Sequence, residues 1–384
     1  MVDIQEPDVV IIGAGPAGST TAAEINNSSD KRIILIDRRK EIGVPGRCAG
    51  GISVKQLNMS GIEVPDDIII NKIYGMKVVS PNETTLTVGD TFSTGKPHGY
   101  ILDRVKFDQM LFKRIDTDKT EVILGQPADT DGQIVTCGTR KFRPKRIVLA
   151  CAYDKNLIQR SGVKLKISPA DIHKCTQVTI PTNKYDSRYI WSFAGNDFAP
   201  GGYAWIFPEN DKVARVGLGI PSSNPLLPIM LLNRFLDKEN MEHLPKTMRT
   251  GKLLPTLWYR KKIHHDKVVL VGDAGLQVNP LTGGGIGYAL VCAQILGRTI
   301  ARNEPYSTYE KDWRMMFTKR LRTDYMIKSL LFGMTDKELD TAAEGAVYVG
   351  MDSVNHLESA GREMLKRNKR LLWKLIGMKL RRKI

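Results

Sequence analysis

Cysteine is scarce in this sequence, and its five residues are widely separated. They are Cys48, Cys137, Cys151, Cys175 and Cys292, and no two of them have the spacing of a CxxC pair or of a zinc-binding motif. The odd number and the irregular spacing do not suit a disulfide framework. The sequence therefore predicts neither a disulfide scaffold nor a bound metal.

Long apolar runs are also missing. No stretch approaches the roughly 20 apolar residues that a membrane-spanning helix needs. The first residues, "MVDIQEPDVVIIGAG", lead almost at once into a strand, without the basic and apolar regions of a secretory signal. These absences predict a cytoplasmic protein without a transmembrane segment.

Acidic residues are few relative to basic ones, and the net charge is +16. More than half of this excess lies between Arg362 and Ile384, where ten Lys and Arg residues accompany a single Glu. Because the rest of the chain is only moderately basic, we expect no nucleic-acid partner. In the tail, Met364, Leu371 and Leu375 recur at helical spacing, which predicts a basic amphipathic helix. Such a helix suits an anionic membrane surface, and packing on the body of the protein is the alternative.

The sequence does contain a glycine-rich turn between a strand and a helix, in "DVVIIGAGPAGSTTAAEI" (8–25). Gly13, Gly15 and Gly18 fit G-x-G-x-x-G, in which the glycines permit a tight turn, close approach of a pyrophosphate and close helix packing. A second buried strand, "KRIILID" (31–37), ends at Asp37, where an acid can accept the ribose hydroxyls. This arrangement predicts a dinucleotide site and leaves NAD and FAD open.

A second glycine-rich segment lies far downstream, in "KVVLVGDAGLQVNPLTGGGIGYALVCAQIL" (267–296). An apolar strand runs into Gly272-Asp273, and three glycines then precede an apolar helix. Glycines at a helix start suit close approach of an anion or an electron-rich ring.

These segments resemble the p-hydroxybenzoate hydroxylase-like flavoproteins, which implies FAD. In that family the aspartate of the downstream signature meets the flavin ribityl chain, here Asp273, and the following helix start lies against the ring. "GYILDRVKFDQML" (99–111) resembles the family segment whose arginine lies near the cofactor, here Arg104. An Asp-Gly pair associated with pyridine nucleotides in the hydroxylases is replaced here by Ala152-Tyr153, which puts direct reduction by NADPH in doubt.

Strand-like runs between the two flavin segments predict a substrate domain. They are "HKCTQVTI" (173–180), "SRYIWSFAG" (187–195) and "GGYAWIFPENDKVARVGLGI" (201–220), the last read as a hairpin that turns at "ENDK". Tyr203, Trp205 and Phe207 alternate, so one strand face carries three aromatic rings. Core packing is the general explanation for such a stripe.

The chain resembles the geranylgeranyl reductase family over roughly residues 7 to 330. Two short segments carry the resemblance to that family. "PGGYAWIFP" is similar to its Y-x-W-x-F-P strand, which faces the substrate cavity, and "GRCAGGIS" is similar to the segment whose cysteine, here Cys48, lies beside the flavin. The resemblance implies catalytic roles for Cys48 and Tyr203, and substrate binding by Tyr203, Trp205 and Phe207. The candidate cofactor-binding residues are Gly13, Gly15, Ala17, Gly18, Asp37, Arg38, Arg47, Cys48, Ala49, Arg104, Gly272, Asp273, Gly284, Gly285 and Ile286.

The resemblance implies FAD-dependent reduction of isoprenoid double bonds in membrane ether-lipid precursors, by hydride transfer and protonation. A flavin monooxygenase or halogenase, and a non-catalytic prenyl-binding escort protein, are the alternatives. NADPH, a ferredoxin and a reduced deazaflavin stay open as electron donors. We expect the protein to touch the membrane peripherally through its C-terminal tail.

The expected fold class is α/β, with a Rossmann-like FAD-binding domain, an inserted and mostly antiparallel β-sheet domain, and a C-terminal helical segment. The FAD-binding domain is predicted at 1–75, 100–165 and 265–310. The substrate domain is predicted at 76–99 and 166–264, and the helical region at 311–384.

Overall fold

A computed structural model of the chain describes residues 4–46, 48–258 and 262–348. The strands are β1 (Ile4–Gln5), β2 (Val9–Ile12), β3 (Ile33–Asp37), β4 (Gly51–Ser53), β5 (Ile69–Ile73), β6 (Gly75–Val79), β7 (Thr85–Val88), β8 (Gly99–Leu102), β9 (Thr120–Leu124), β10 (Ala128–Thr130), β11 (Val135–Cys137), β12 (Arg140–Phe142), β13 (Arg146–Leu149), β14 (Ile172–Pro181), β15 (Tyr189–Phe193), β16 (Tyr203–Pro208), β17 (Val213–Pro221), β18 (Thr247–Pro255), β19 (His264–His265) and β20 (Val268–Leu270). The helices are α1 (Pro16–Ser28), α2 (Val54–Ser60), α3 (Arg104–Phe112), α4 (Lys155–Arg160), α5 (Pro228–Lys238), α6 (Ile286–Ala301), α7 (Tyr306–Leu331) and α8 (Asp336–Tyr348), with short 3₁₀ turns at Asp66–Ile68, Phe92–Thr94 and Pro169–Asp171.

The described residues form two compact units. The first contains the chain up to Ile68, together with Leu102–Ile172 and Leu254–Tyr325. The second contains Ile69–Ile101, His173–Leu253 and the described residues from Met326 onward.

The central sheet of the first unit is mostly parallel, with the strand order β19-β20-β13-β2-β3-β9. Every residue of β2, β3 and β20 is buried, as continuous apolar sequences covered on both faces require. Helices α1 and α6 pack closely, since a Cβ on Gly297 would lie 2.5 Å from the Glu24 Cβ. The predicted strand–turn–helix at 8–25 and the predicted second strand at 31–37 are confirmed as β2, α1 and β3.

The second unit is built on a seven-stranded sheet with the order β18-β14-β17-β16-β15-β6-β7. Pairing is antiparallel between β14, β17, β16 and β15, and the hairpin β16–β17 turns at residues 209–212 as predicted. One face of this sheet carries small and branched side chains that pack against α5 in a closed core. The expected α/β fold with an inserted antiparallel sheet is confirmed.

The unit boundaries differ from the predicted domain boundaries. The chain changes unit at 68/69, 101/102, 172/173 and 253/254, against predictions of 75/76, 99/100, 165/166 and 264/265. Ile263, which precedes β19, belongs to the core of the first unit. Trp313, Phe317 and Leu321 of α7 are buried in the same core, so the helical region predicted from 311 is divided between the units.

No helix in the described part of the chain combines the length and the apolar character needed to cross a bilayer.

Candidate active site

Three glycines with different roles lie in the turn between β2 and α1 and in the first turn of α1. Gly13 has a φ of +107°, and a Cβ there would lie 2.4 Å from the Ala150 carbonyl oxygen. A Cβ on Gly18 would lie 1.8 Å from the Gly13 oxygen, so only glycine lets the helix approach the strand. A Cβ on Gly15 would instead meet its nearest neighbour, Arg39 Nη2, at 4.0 Å. The space beside Gly15 suits the close approach of a pyrophosphate.

Two helices begin at glycine turns without a side-chain cap. They are α1, whose N-cap is Gly15, and α6, whose N-cap is Gly285. The N–H groups of an uncapped first turn point away from the helix toward any acceptor in front of it. Both helix starts therefore fit the phosphate or ring acceptors of a dinucleotide cofactor.

Asp37, at the end of β3, is a buried carboxylate with several donors. Its Oδ2 accepts from the Ala14 N–H at 2.7 Å, and Arg39 donates to both of its oxygens at 2.8–2.9 Å. Burial acts to raise the Asp37 pKa, but the Arg39 hydrogen bonds and charge outweigh burial and lower it. Asp37 is therefore ionised and ready to accept ribose hydroxyls. Arg38, also predicted to bind the cofactor, is exposed, and the neighbouring Arg39 is the residue that binds the acid.

Arg104 connects a carboxylate and a thiol at the start of α3. Its Nη2 donates to Asp108 Oδ1 at 2.8 Å, and only 13% of its side chain is exposed. Burial acts to lower the Arg104 pKa, yet the Asp108 charge and the charge and hydrogen bond of Cys48 raise it. The Gly50 N–H also donates to Cys48 Sγ, at 3.4 Å. The glycine-flanked cysteine thus lies beside two donors, the Arg104 guanidinium and the Gly50 N–H, which can stabilise negative charge on sulfur.

The downstream signature forms a second compact turn after β20. Gly272 has a φ of +68°, and a Cβ there would lie 3.0 Å from the Ala17 Cβ. A Cβ on Gly285 would lie 3.1 Å from Asp273 Oδ1, so the Asp273 carboxylate lies at the start of α6. The first unit therefore places Asp273 and the residues of the α6 start, Gly284, Gly285 and Ile286, together.

The Ala152-Tyr153 pair follows β13, beside the Gly13 turn. Ala152 has a φ of +55°, in the left-handed region that a side chain disfavours by about 1–2 kcal/mol. The neighbouring Cys151 is half-buried, and burial raises its pKa to about 12. Cys151 is therefore a neutral thiol.

The aromatic residues of β16 lie in the second unit and share one face of its sheet. Tyr203, Trp205 and Phe207 are half-buried, while the alternate residues Ala204 and Ile206 are fully buried in the core. The Tyr203 and Trp205 rings are 5.9 Å apart between centroids, and Trp205 Nε1 donates to Gln177 Oε1 at 3.2 Å. This arrangement can offer a long apolar surface to a ligand.

Two glycines on β17, whose role was not predicted, leave space for the aromatic rings of β16. Gly217 is the register partner of Trp205, and a Cβ there would lie 2.6 Å from the indole. Gly219 pairs with Tyr203, and a Cβ there would lie 2.9 Å from Cys175 Sγ. A glycine inside a strand often marks a place where another group approaches the backbone closely. The "GLG" of residues 217–219 could have indicated such a place.

His173 and Phe332 extend the same region of the second unit. The Phe332 ring lies 5.9 Å from the His173 ring and 6.2 Å from the Tyr203 ring. Burial, reinforced by the Lys328 charge, lowers the His173 pKa to about 4, so the ring is neutral and its Nε2 donates to the Gly201 oxygen at 3.1 Å. Burial raises the Tyr203 pKa, which keeps its phenol protonated.

The predicted site residues thus fall into two sets. The cofactor set and Cys48 lie in the first unit, and the three aromatic residues lie in the second. Arg47 and the tail from Arg362 to Ile384 are outside the described residues.

Comparisons with protein families match two parts of the chain. Residues 171–251 match a model of the geranylgeranyl reductase catalytic domain. Residues 11–54 match an NAD(P)-binding Rossmann-like domain.

Curated relatives align over nearly the full length. A digeranylgeranylglycerophospholipid reductase of Methanococcoides burtonii is 30% identical, covering 96% of this chain and 94% of that protein. One from Methanothermobacter thermautotrophicus is 31% identical, covering 98% and 99%.

Solved structures share the fold. A geranylgeranyl bacteriochlorophyll reductase-like protein of Thermoplasma acidophilum has a TM-score of 0.85 at 24% identity, covering 98% of this chain and all of its own. A flavin-dependent brominase has a TM-score of 0.66 at 16% identity, covering 85% of this chain and 87% of its own.

Proposed function

The chain belongs to the digeranylgeranylglycerophospholipid reductase family, and on that premise we propose that it saturates double bonds of geranylgeranyl chains in ether-lipid precursors, with FAD as its cofactor. The observation that carries the proposal is Cys48 held beside Arg104, within the unit that contains the cofactor turns. Such a pair can deliver a proton, which reduction of an isolated alkene requires.

The residues of the first unit fit FAD. Gly15 and the start of α1 would bind the pyrophosphate, and Asp37 would accept the ribose hydroxyls. Asp273 would bind the ribityl chain, and the uncapped first turn of α6 would hold the ring. When bound, reduced FAD supplies the hydride to one alkene carbon.

We assign protonation of the second alkene carbon to Cys48. An isolated alkene has no carbonyl group to hold developing charge, so an acid must lie within reach of the carbon that is protonated. Giving up the proton leaves a thiolate, which the guanidinium of Arg104 stabilises. Tyr203 is a weaker candidate because burial raises its pKa. An ordinary thiol, with a pKa near 8.5, is a weak acid. The positive charge of Arg104 makes Cys48 a stronger acid in this proposal.

The aromatic face of β16 binds the isoprenoid chain in this proposal. A hydrocarbon has no hydrogen-bonding groups, so its recognition depends on apolar area and on exclusion of water. Tyr203, Trp205 and Phe207 supply that area. The electron donor is NADPH, a ferredoxin or a reduced deazaflavin, and Ala152-Tyr153 in place of the Asp-Gly pair favours the last two. We also propose peripheral membrane contact through the basic tail.

The test measures turnover with FAD reduced chemically beforehand, which removes the identity of the donor from the experiment. The purified chain should be yellow and should convert digeranylgeranylglycerophospholipid to products heavier by two hydrogens per saturated bond. In D₂O, both hydrogens added to each bond should be deuterium, because the N5 hydrogen of reduced flavin and the donated proton both exchange with solvent. Cys48→Ala should lower the rate by at least about a hundredfold.

The matched control is Cys137→Ala, which removes a buried thiol from β11 in the small β1-β12-β11-β10 sheet and should leave turnover unchanged. A colourless protein, or oxygenated or halogenated products, would refute the proposed reaction. Full turnover in Cys48→Ala would refute the proton-donor role alone.

A further inference from the structure

A single asparagine closes the loop of residues 279–284, which leads into α6. The Asn279 N–H donates to the Gly284 oxygen at 2.9 Å, and its carbonyl accepts from the Gly283 N–H at 2.9 Å. Its side-chain Oδ1 accepts from the N–H groups of Leu281 at 2.9 Å and Thr282 at 3.0 Å. The backbone of the loop is therefore folded around Asn279.

The amide nitrogen of Asn279 reaches out of the loop to α7. Its Nδ2 donates to Asp324 Oδ2 at 2.6 Å. Asp324 is 2% exposed, and the same oxygen accepts from Arg320 Nε at 2.6 Å. A buried carboxylate is retained only where donors satisfy it, so this contact is an anchor in a water-poor region.

Tyr288, in the first turn of α6, joins the same cluster. Its ring packs edge-on against Phe317 of α7, with 4.9 Å between centroids. Burial raises the Tyr288 pKa, its hydrogen bond with Asn279 opposes that effect, and the Asp324 charge adds to it. Asn279 thus joins the loop, the start of α6 and the buried side of α7.

We infer that Asn279 and Asp324 are positioning residues that fix the 279–284 loop, and with it the N–H groups at the start of α6, in the conformation that holds the FAD ring. The inference rests on the proposed function, which places the ring at this helix start. Gly283, Gly284 and Gly285 leave the loop with wide backbone freedom. An anchor outside the loop is what selects one conformation, and the Asp324 contact is such an anchor.

A reciprocal exchange of the two side chains tests this link. Asn279→Asp keeps the acceptor for Leu281 and Thr282 but sets a carboxylate against Asp324. The double variant Asn279→Asp/Asp324→Asn restores a hydrogen bond between the two positions, with the roles of donor and acceptor reversed. Arg320→Ala is the control, because it removes the other donor to Asp324 and leaves the Asn279 contact in place.

We expect Asn279→Asp to weaken FAD binding by about tenfold and to shift the flavin midpoint potential. The double variant should recover most of both properties, and Arg320→Ala should stay within about twofold of wild type. A double variant as impaired as Asn279→Asp, or an Asn279→Asp chain that binds FAD normally, would overturn the inference. If Asn279→Asp does not fold, the double variant alone tests the inference, by whether it folds and binds FAD with near wild-type affinity.

Hydrogen exchange on the FAD-free chain gives a readout that does not depend on the cofactor. The backbone amides of residues 281–284 should exchange about tenfold faster in Asn279→Asp than in wild type, while those of β2 and β3 should not change. Unchanged exchange at 281–284 would contradict the inference. A wild-type chain that binds no FAD would refute the proposed function, while the exchange comparison would still decide on the anchor.

Discussion

At the scale of single residues, neighbouring charge distinguishes Cys48 from the more shielded cysteines. Cys48 has the Arg104 guanidinium and the Gly50 N–H as hydrogen-bonding partners. Cys151 is half-buried and Cys292 is buried, and burial raises the pKa of both thiols. Burial disfavours the thiolate form of a cysteine, whereas a neighbouring arginine stabilises the thiolate that forms when the thiol gives up its proton.

Arg104→Gln should make Cys48 less reactive at neutral pH. Without the guanidinium the thiolate loses its neighbouring positive charge, so the midpoint of the alkylation profile should move to higher pH by about one unit or more. The measurement is the rate of iodoacetamide labelling of Cys48 against pH, with the site assigned by peptide mass. Glutamine still offers Asp108 an N–H donor, which limits damage to the fold.

Arg143→Gln is the control for that experiment, since it removes a half-exposed arginine that faces Glu6. Its labelling profile should overlay that of wild type. Coincident profiles for Arg104→Gln and wild type would show that Arg104 does not stabilise the Cys48 thiolate.

At the scale of elements, β16 and β17 have one face in the core of the second unit and one face that carries aromatic rings. Along β16, the side chains that point to α5 are small or branched and fully buried, while those on the other face are aromatic. The two glycines of β17 remove the side chains that would collide with the aromatic rings. The indole of Trp205 can therefore lie flat on the neighbouring strand.

Gly217→Ala should destabilise the protein by about 1–3 kcal/mol, because the added methyl group would overlap both the Trp205 ring and the Thr176 carbonyl. The free energy of unfolding from denaturant titration is the quantity to compare. Gly251→Ala on β18 is the matched substitution, since its Cβ would meet only the Cys175 oxygen, at 3.4 Å. It should stay within about 0.5 kcal/mol of wild type, and an equal loss in both variants would disprove the steric explanation.

Local patterns in the sequence were sufficient to predict several of these elements. The β2–α1 turn and the β16–β17 hairpin follow from glycine spacing and from alternation, which act over a few residues. The roles of Gly217, His173 and Arg39 were not predicted, and those of the first two depend on contacts between separate segments. The role of Gly217 depends on its pairing with Trp205, and the state of His173 depends on burial, neither of which a single segment encodes.

At the scale of the whole molecule, the distribution of charge is uneven. The +16 net charge is concentrated in the last 23 residues, which carry ten basic side chains. A basic amphipathic segment gains attraction to anionic lipid of about 1 kcal/mol for each basic residue near the surface. That gain would bring an enzyme of lipid saturation to the bilayer that holds its substrate.

Deleting residues 362–384 should abolish most binding to vesicles that contain phosphatidylglycerol, as measured by co-sedimentation. Leu371→Ser/Leu375→Ser in the full chain keeps every charge and should weaken binding less than the deletion does. Raising the salt concentration should release the wild-type chain, because salt screens surface charge. Vesicle binding that survives the deletion would show that another surface makes the contact.

The alternation along β16 also has a consequence for how this family can diversify. A one-residue shift of the whole of β16 against β17 would exchange the two faces, turning the rings into the core and Ala204 and Ile206 outward. Substitution at positions 203, 205 and 207 instead changes the aromatic face while leaving the buried face of β16 intact. Those three positions are a natural starting point for engineering a reductase with altered prenyl selectivity.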